Sequence, residues 1–397
     1  MIKSIKIRLN PNNKQKTKLF QYSDYARFAY NWAISKEKEA YKNGDKFKPD
    51  YQLRKEFTQL KKQPEFYWLN QISNEVTKQA IKDACFTYKR FFKGLQGCPE
   101  YKTKKKSHPS FYQDGTKLRF SDTHVKVEGF AESKGKSRGN RGSINWIRLC
   151  KKGRIPTNCK YMNPRFTYDG LHWYVSVGIE VEPVRKNFNE NNEGIGIDLG
   201  IKDFAIFSDG SIYPNINKTE LVKKIEKQKL RLQHSLSRKY LANKKGGRYC
   251  KTKNIIKSEK KFLKLSKRLT NIRHNYLHQI TSLIAKREPS FVCIEDLHVS
   301  EMMKNKHLSK FIQQQSFYEF RKQLEYKCHW NGVLLIIADR WFPSSKLCSC
   351  CGNVKKDLKL SDRIYKCECG NVIDRDYQAA LNLKVYGENI LKQQSVV

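Results

Sequence analysis

Three acidic residues occupy positions from which a carboxylate could bind a metal ion. Asp198 lies near the end of the apolar stretch Gly194–Leu199, just before a glycine turn. Glu295 ends a second short apolar run, Phe291–Glu295, and Asp374 begins a helical stretch rich in small apolar residues. Hard cations such as Mg²⁺ take oxygen ligands, and a buried strand that presents one carboxylate at its end suits such a site.

The chemistry that these three acids suggest is cleavage of a phosphodiester bond. Two Mg²⁺ ions can activate a water, stabilise the leaving oxygen and fix the in-line geometry of the displacement. We expect Asp198 to bridge two Mg²⁺ ions, with Glu295 and Asp374 holding one each. Two alternatives stay open at this point. The stretch around Asp198 is also similar to the first hairpin of sugar kinases and chaperone ATPases, which holds phosphate. Asp374 could instead be a helix N-cap, a position at which Asp is favoured.

Four cysteines near the C-terminus have the spacing of a structural zinc site. Cys348 and Cys351 form a C-x₂-C knuckle followed by glycine, and Cys367 and Cys369 follow fifteen residues later. In a chain without a disulfide framework this pattern predicts a Cys₄ zinc ribbon. The second pair is one residue shorter than usual. Either the site tolerates the short spacing, or Cys350 takes part, or zinc is held weakly.

The charge of the chain indicates a polyanionic partner. Lys and Arg number 79 against 38 Asp and Glu, which gives a net charge of +41 over 397 residues, while 39% hydrophobic residues suffice for folded cores. Nucleic acid is the expected partner, and the size of the excess suits an extended duplex or a folded RNA. A generally basic, ribosome-associated protein is the alternative. No apolar run approaches ~18 residues, so we expect no membrane span and a cytoplasmic location.

Two basic segments are the candidate nucleic-acid contacts. Residues 218–287 hold 22 Lys and Arg against 3 acidic residues, and their apolar spacing, with Leu221 in the expected seam, predicts two antiparallel helices separated by Lys244-Lys245-Gly246-Gly247. A further helix is predicted over about 73–93, with Phe91 on its apolar stripe and Lys78, Lys82 and Arg90 largely off that stripe. Solvated helix faces are the alternative for these cations.

The N-terminal half alternates between strand and helix patterns. Residues 5–9 alternate as a strand with one buried face, and a helical subdomain of roughly 100 residues follows. Short strands then recur, the clearest over 173–182. Residues 132–143 are rich in Gly, Ser, Lys and Arg and predict a loop, and 187–193 predict a domain linker. A small β-domain interrupted by a helical insertion is the simplest organisation.

Together these segments resemble the TnpB (OrfB) family of insertion-sequence-associated RNA-guided nucleases, relatives of the type V CRISPR effectors. The order acid, acid, zinc ribbon, acid carries the resemblance, which covers nearly the whole chain. The matching stretches are Asn10–Asn12, Ala26–Ala33, Gly196–Phe204, Ile294–Leu297, Tyr318–Lys327, Trp341–Lys346 and Asp374–Leu383.

The resemblance implies an α+β multidomain protein with an RNase H-like (RuvC) nuclease domain interrupted by a zinc ribbon. A wedge-type β-barrel domain with a helical recognition insertion precedes the nuclease domain. The implied ranges are 1–11 and 108–186 for the wedge domain, 12–107 for the recognition domain, 187–342 and 373–390 for the nuclease domain with its basic hairpin 218–287, 343–372 for the ribbon, and 391–397 for a tail.

The resemblance also implies a function. Family members bind a guide RNA from the element end, recognise a short transposon-adjacent motif and cut double-stranded target DNA. Asp198, Glu295 and Asp374 correspond to the catalytic acids that bind Mg²⁺, and the four cysteines to zinc ligands. We expect a monomeric protein in the ribonucleoprotein, acting at the prokaryotic nucleoid. A nuclease-inactive RNA-guided repressor and a transposase, or an accessory protein to one, are the alternatives. The presence of all three acids disfavours the first, and the lack of a His-x-His motif with a nucleophilic Tyr disfavours the second.

Overall fold

The computed structural model describes residues 1–129, 145–182, 192–359 and 362–395. The chain divides into two compact units, Met1–Glu182 and Pro183–Val397. The loop predicted over 132–143 and most of the linker predicted over 187–193 lie outside the described residues. Within the described ranges, no helix has both the length and the apolarity needed to cross a bilayer.

The first unit contains a seven-stranded sheet in which every pair of neighbours is antiparallel. Its strands lie in the order β2-β6-β7-β1-β5-β4-β3. They are β1 (Ile2–Asn10), β2 (Ser110–Tyr112), β3 (Arg119–Phe120), β4 (His124–Lys126), β5 (Trp146–Leu149), β6 (Tyr161–Tyr168) and β7 (Trp173–Glu180). Alternate residues of β7, from Trp173 to Ile179, are buried, which confirms the strand pattern expected there.

Three helices are inserted between β1 and β2. They are α1 (Asn13–Lys42), α2 (Asp50–Leu60) and α3 (Asn74–Phe92), with a 3₁₀ helix over Pro64–Gln71. A capping box between Asn12 and Gln15 starts α1, because each side chain accepts a hydrogen bond from the backbone N–H of the other residue. The helix predicted over about 73–93 is confirmed as α3, although Phe91, expected on its buried stripe, is 37% exposed.

The second unit contains a five-stranded sheet in the order β10-β9-β8-β13-β14. Strands β8, β9 and β10 form an antiparallel meander, whereas β13 runs parallel to both β8 and β14. The strands of this unit are β8 (Ile195–Leu199), β9 (Asp203–Phe207), β10 (Ile212–Pro214), β11 (Lys244–Lys245), β12 (Arg248–Tyr249), β13 (Phe291–Glu295), β14 (Leu334–Ala338), β15 (Ile364–Lys366) and β16 (Val372–Asp374).

Helices cover both faces of this sheet. The described helices of this unit are α4 (Glu220–Ala242), α5 (Lys253–Lys286), α6 (Val299–Met302), α7 (Ser309–Gln315), α8 (Phe317–Asn331) and α9 (Arg375–Ser395). One face packs against α5, α7 and α8 around Phe320 and Ile284. The opposite face packs against α9 around Phe291 and Leu383.

The two predicted basic helices are confirmed as α4 and α5, which pack against each other through Val222, Ile225 and Leu269. The predicted seam included Leu221, which is wrong: Leu221 is 50% exposed and its neighbour Val222 is buried. The segment between the helices is more ordered than a simple break, because β11 and β12 pair as a short hairpin around Gly246 and Gly247. Both glycines have positive φ, as the tight turn requires.

Helix α9 lies unusually close to β8 at Gly196. A Cβ added there would clash with the backbone of α9 at Ala380 and Lys384. Phe291 of β13 is held in a comparable way, because added Cβ atoms at Gly194 or Gly387 would meet its ring. These glycines let α9 and the sheet approach to backbone contact.

Gly196→Ala should therefore destabilise the second unit. Forcing one methyl group into a packed core costs about 1–3 kcal/mol, and here the opposing atoms are backbone rather than flexible side chain. Scanning calorimetry should show a lower melting temperature for one transition. Gly97→Ala is the control, since nothing lies within 4 Å of an added Cβ there and its φ is not left-handed. Equal melting temperatures for both variants would contradict the close approach.

Candidate active site

Asp198 and Glu295 lie side by side because β8 and β13 are parallel neighbours. Ile294 pairs with Ile197, so the residues that follow them, Glu295 and Asp198, are adjacent at the carboxyl end of the two strands. Side chains alternate between the faces of a strand. Since Ile197 and Ile294 pack toward α5 and α8, the two acids project to the other face, which α9 covers.

Asp198 and Glu295 are close enough that the charge of Glu295 raises the pKa of Asp198. Burial raises the pKa of Asp198 well above its ordinary value, and the negative charges of Glu295 and then Asp376 raise it further. Glu295 also shares a hydrogen bond with Asp198. Carboxylates held this close repel one another, and either a shared proton or a bound cation relieves that repulsion.

The third acid near Asp198 is Asp376, two residues beyond the position expected from the sequence. Asp374 ends β16, is exposed, and caps α9: its Oδ1 accepts the backbone N–H groups of Asp376 and Tyr377 at 2.9 and 3.0 Å. Asp376 lies in the first turn of α9, is half-buried and acts electrostatically on Asp198. Its carboxylate pairs with Arg375 at 3.0 Å.

A signal for Asp376 was present in the sequence. In the run Asp374-Arg375-Asp376, the first acid has the residue type and position of an N-cap, whose side chain is occupied by backbone N–H groups. The second acid does not cap the helix, so its side chain is the one that can face a neighbouring element. Locating it required the direction of α9 relative to the sheet, which no local pattern provides.

Glu295 is oriented by a hydroxyl that the sequence did not single out. The buried Ser344 donates its Oγ hydrogen to Glu295 Oε1 at 2.7 Å. Ser344 is itself fixed, because the buried Asn382 of α9 donates to the backbone oxygens of Ser344 and Leu347, both at 2.7 Å. One helix thus positions both Asp376 and the residue that orients Glu295.

Asp296, the neighbour of Glu295, is occupied differently. Hydrogen bonds from Arg340 and Arg321, at 2.6 and 2.7 Å, outweigh partial burial and hold the pKa of Asp296 below its ordinary value. Each oxygen of Asp296 is thereby taken by its own close guanidinium, whereas the arginine contacts of Asp376 are longer, at 3.0 Å to Arg375 and 3.5 Å to Arg363. The donor set that remains for a metal is Asp198, Glu295 and Asp376, all oxygen ligands, and this set fits a hard divalent cation such as Mg²⁺.

The four predicted cysteines converge into one cluster. The Sγ atoms of Cys348, Cys351, Cys367 and Cys369 all lie within 4.8 Å of one another. Cys348 lies 3.7 Å from Cys369, and Cys351 lies 3.5 Å from Cys367. Cys350 is exposed and lies outside the cluster. Four thiols at this spacing are consistent with a structural zinc ion.

The short second knuckle is accommodated by the backbone. In the first knuckle Cys348 N–H donates to Asn353 O and Gly352 N–H donates to Cys348 O. The second knuckle repeats both bonds in a turn one residue tighter, from Cys367 to Asn371 and from Gly370 to Cys367. Each turn therefore brings its two thiols to the cluster despite the different spacing.

Local hydrogen bonds favour thiolate formation at Cys348. Burial alone would raise the pKa of this thiol, but hydrogen bonds from the Cys351 backbone, the Asn371 side chain and the Cys350 backbone bring the pKa to about 6. The thiolate is the form that binds zinc. The Asn371 amide also donates to Gln378 of α9 at 3.0 Å, which connects the cluster to the helix that carries Asp376.

The predicted nucleic-acid contacts lie on the surface. Lys78, Lys82 and Arg90 are exposed on α3, and Lys78 pairs with Glu75 at 2.8 Å. Lys244 is exposed in the β11–β12 hairpin. Lys245 belongs to the same hairpin, but its side chain lies outside the described residues. Their roles as contacts stay predictions.

Family models match three parts of the chain. A "Helix-turn-helix domain" of OrfB from IS605 matches residues 1–46, "Probable transposase" of OrfB matches 175–306, and "Cas12f1-like, TNB domain" matches 317–383. A Streptomyces pristinaespiralis protein named "Putative RNA-guided DNA endonuclease" is 30% identical over 97% of this chain and 89% of its own. The chain belongs to the OrfB (TnpB) family of IS605. The sequence resemblance to this family is confirmed.

Other TnpB-family and Cas12f relatives are similar over different lengths. "Putative RNA-guided DNA endonuclease InsQ" of Escherichia coli K12 is 25% identical over 98% of this chain and 93% of its own. A "CRISPR-associated endodeoxyribonuclease Cas12f1" of Sulfoacidibacillus thermotolerans is 26% identical over 54% of this chain and 50% of its own. A solved Cas12f1–sgRNA–target DNA complex covers 97% of this chain and 98% of its own at a TM-score of 0.61 and 14% identity. The TnpB-family chain therefore has a Cas12f-like fold.

The first matched segment of this TnpB-family chain differs from the description of its family model. Residues 1–46 form strand β1 and a single helix of 30 residues, α1. Asn12 caps the start of α1, and Asn43 is the C-cap at which the helix ends. The N-terminal segment thus contributes a sheet strand and one long helix.

Replacing a clustered cysteine should remove the metal from this TnpB-family protein. Cys351→Ser and Cys369→Ser should each lower the zinc content from about one ion per chain toward zero and lower the melting temperature, because a structural zinc site needs four ligands. Mass spectrometry of metal content in the purified protein measures this. Cys350→Ser is the matched control and should retain its zinc. Loss of zinc from Cys350→Ser, with retention in Cys369→Ser, would contradict the assignment.

Proposed function

We propose that this TnpB-family protein is an RNA-guided, Mg²⁺-dependent endonuclease that cuts double-stranded DNA next to a short transposon-adjacent motif. The observation that carries the proposal is the convergence of Asp198, Glu295 and Asp376 at the carboxyl ends of β8 and β13, on the face of the sheet that α9 covers. A helix-covered sheet with an antiparallel meander and two parallel strands supports assignment of the second unit to the RNase H-like (RuvC) class. The names of its relatives support the guided mode of action.

The proposed roles follow from the chain's own contacts. Asp198 feels the charges of both other acids and would be the ligand common to the two ions, and Glu295 and Asp376 would each hold one. Ser344 holds the Glu295 carboxylate in one orientation. Two Mg²⁺ ions bound there would supply an activated water and stabilise the leaving oxygen. The positive end of the α9 macrodipole lies at its first turn and favours the negative charge of Asp376 there.

The remaining parts of the chain have proposed roles in nucleic-acid binding. The seven-stranded sheet and α1–α3 would form the wedge and recognition domains, and α4 with α5 would form the basic hairpin of the nuclease domain. Lys82, Arg90 and Lys244 present positive charge to solvent from these elements. A guide RNA and its target DNA are the proposed partners. Sequencing the RNA that co-purifies with the protein should recover one defined species whose end matches the cleaved target.

Asp376→Asn should abolish cleavage, whereas Asp374→Asn should leave cleavage nearly unchanged. Asp376 is a proposed metal ligand, and its loss should cost more than the about 10–100-fold that removal of an outer-shell partner typically costs. Asp374→Asn is the matched control, because Asn caps a helix as well as Asp does. The measurement is single-turnover cleavage of a guide-matched plasmid with Mg²⁺, together with a gel-shift assay of target binding, which should survive in both variants. Inactive Asp374→Asn with active Asp376→Asn would instead support Asp374 as the third ligand.

Ser344→Ala should weaken the same reaction without removing a metal ligand. The variant leaves Glu295 without its hydroxyl partner, and outer-shell changes of this kind typically cost about 10–100-fold in metal affinity or activity. Activity measured against Mg²⁺ concentration should show a higher half-saturation value. Ser349→Ala is the control, since Ser349 bonds to Gln378 rather than to a carboxylate. Identical Mg²⁺ curves for Ser344→Ala and the parent protein would rule out this role.

A further inference from the structure

The turn that follows β14 exposes the indole of Trp341. Trp341 is 86% exposed, the highest value among the large hydrophobic side chains in the described part of the chain. A single exposed hydrophobic side chain is common in folded proteins and has no meaning by itself. The surroundings of Trp341 are what distinguish it.

The turn is fixed on both sides of Trp341 to residues of the carboxylate site. Before it, Arg340 pairs with Asp296 at 2.6 Å, and after it, Ser344 bonds to Glu295 at 2.7 Å. The backbone N–H of Trp341 donates to Asp339 Oδ1 at 2.8 Å. Since three residues span at most about 10–11 Å, the backbone of Trp341 lies within that distance of Ser344.

The turn also rests on a packed base. The ring of Phe342, next to Trp341, lies 4.7 Å from the ring of Tyr386 on α9. The Tyr386 hydroxyl accepts the N–H of Asp339. Trp341 is therefore an ordered aromatic group that is held out to solvent, rather than the tip of a loose loop.

A cleft of about 310 Å³ lies beside the turn. Glu295, Tyr318, Arg321 and Arg340 are among the residues that line it. Tyr318 is 70% exposed, so a second aromatic ring faces solvent here. Tyr318 lines this cleft, and Trp341 directly follows Arg340, which lines it too. Exposed aromatic side chains near guanidinium groups, next to acids that suit phosphodiester chemistry, are a combination that binds unpaired nucleotides.

We propose that Trp341, with Tyr318, stacks on an unpaired base of the DNA strand and so holds that strand in register with Asp198, Glu295 and Asp376. This inference rests on the proposed function and adds the group that would position the cleaved strand. Stacking accepts any base, because every base has an aromatic face. That tolerance suits an enzyme whose sequence choice is made elsewhere, by base pairing to a guide.

The first test scans the substrate with single abasic sites near the cleaved bond. With the parent protein, one abasic position should lower kcat/KM by about 5- to 150-fold, the loss of one stacked base. With Trp341→Ala, kcat/KM on the intact substrate should fall by the same factor, and the abasic site should cost nothing further. Trp341→Phe should restore most of the activity and the position dependence, because phenylalanine also stacks. Phe311→Ala, which removes a 47% exposed ring from α7, should keep the parent's abasic profile.

The second test does not require cleavage. Single-stranded DNA carrying 2-aminopurine is bound to the protein in EDTA, and stacking on an indole quenches its fluorescence. Quenching should be weaker for Trp341→Ala than for the parent or Phe311→Ala. Equal quenching, together with an unchanged abasic profile, would overturn the stacking role. If the parent failed to cut guide-matched DNA but showed Trp341-dependent quenching, the proposed function would fail while the base-binding site would stand.

Discussion

The second unit depends on one constraint, the concentration of negative charge at the carboxyl ends of β8 and β13 in the five-stranded sheet. Asp198 and Glu295 share a hydrogen bond, and the nearby Asp376 adds a further negative charge that raises the pKa of Asp198. Such an arrangement opposes folding unless a proton or cations relieve it. The surrounding packing holds the three acids close together despite this repulsion. Helix α9 packs at backbone contact over Gly196, and its Asn382 donates a hydrogen bond to the backbone of Ser344.

The cysteine cluster is connected to α9, the same helix that carries Asp376. Asn371 donates both to the Cys348 thiol and to Gln378, a fully buried residue of α9. The chain enters the cluster directly after Ser344 and leaves it through β16 into α9. Metal binding at the cysteines therefore fixes both ends of the segment that orients Glu295 and Asp376. A structural ion at the cysteines would then help to hold in place the side chains that bind the catalytic ions.

Much of this arrangement could be predicted from local patterns, and the exceptions have physical reasons. The basic helices α4 and α5, helix α3 and the four-cysteine set follow from periodicity and spacing. Asp198 and Glu295 stand out as acids ending apolar strands. The sequence alone singled out Asp374 rather than Asp376, the acid that acts on Asp198, because both aspartates lie in one short run and only tertiary packing distinguishes them. Ser344 and Trp341 carry no local signal, since their turn is placed by the bonds of Ser344 to Glu295 and of Arg340 to Asp296, which are 49 and 44 positions away in the chain.

The central claim is that Asp198, Glu295 and Asp376 together hold divalent cations. Anomalous scattering from crystals of the protein soaked in Mn²⁺, a substitute for Mg²⁺ that takes the same oxygen ligands, tests it most directly. The account predicts manganese peaks within coordination distance of oxygens from these three side chains. Peaks coordinated by Asp374 with Asp376 turned away, or no peak at the ends of β8 and β13 at saturating Mn²⁺, would contradict it.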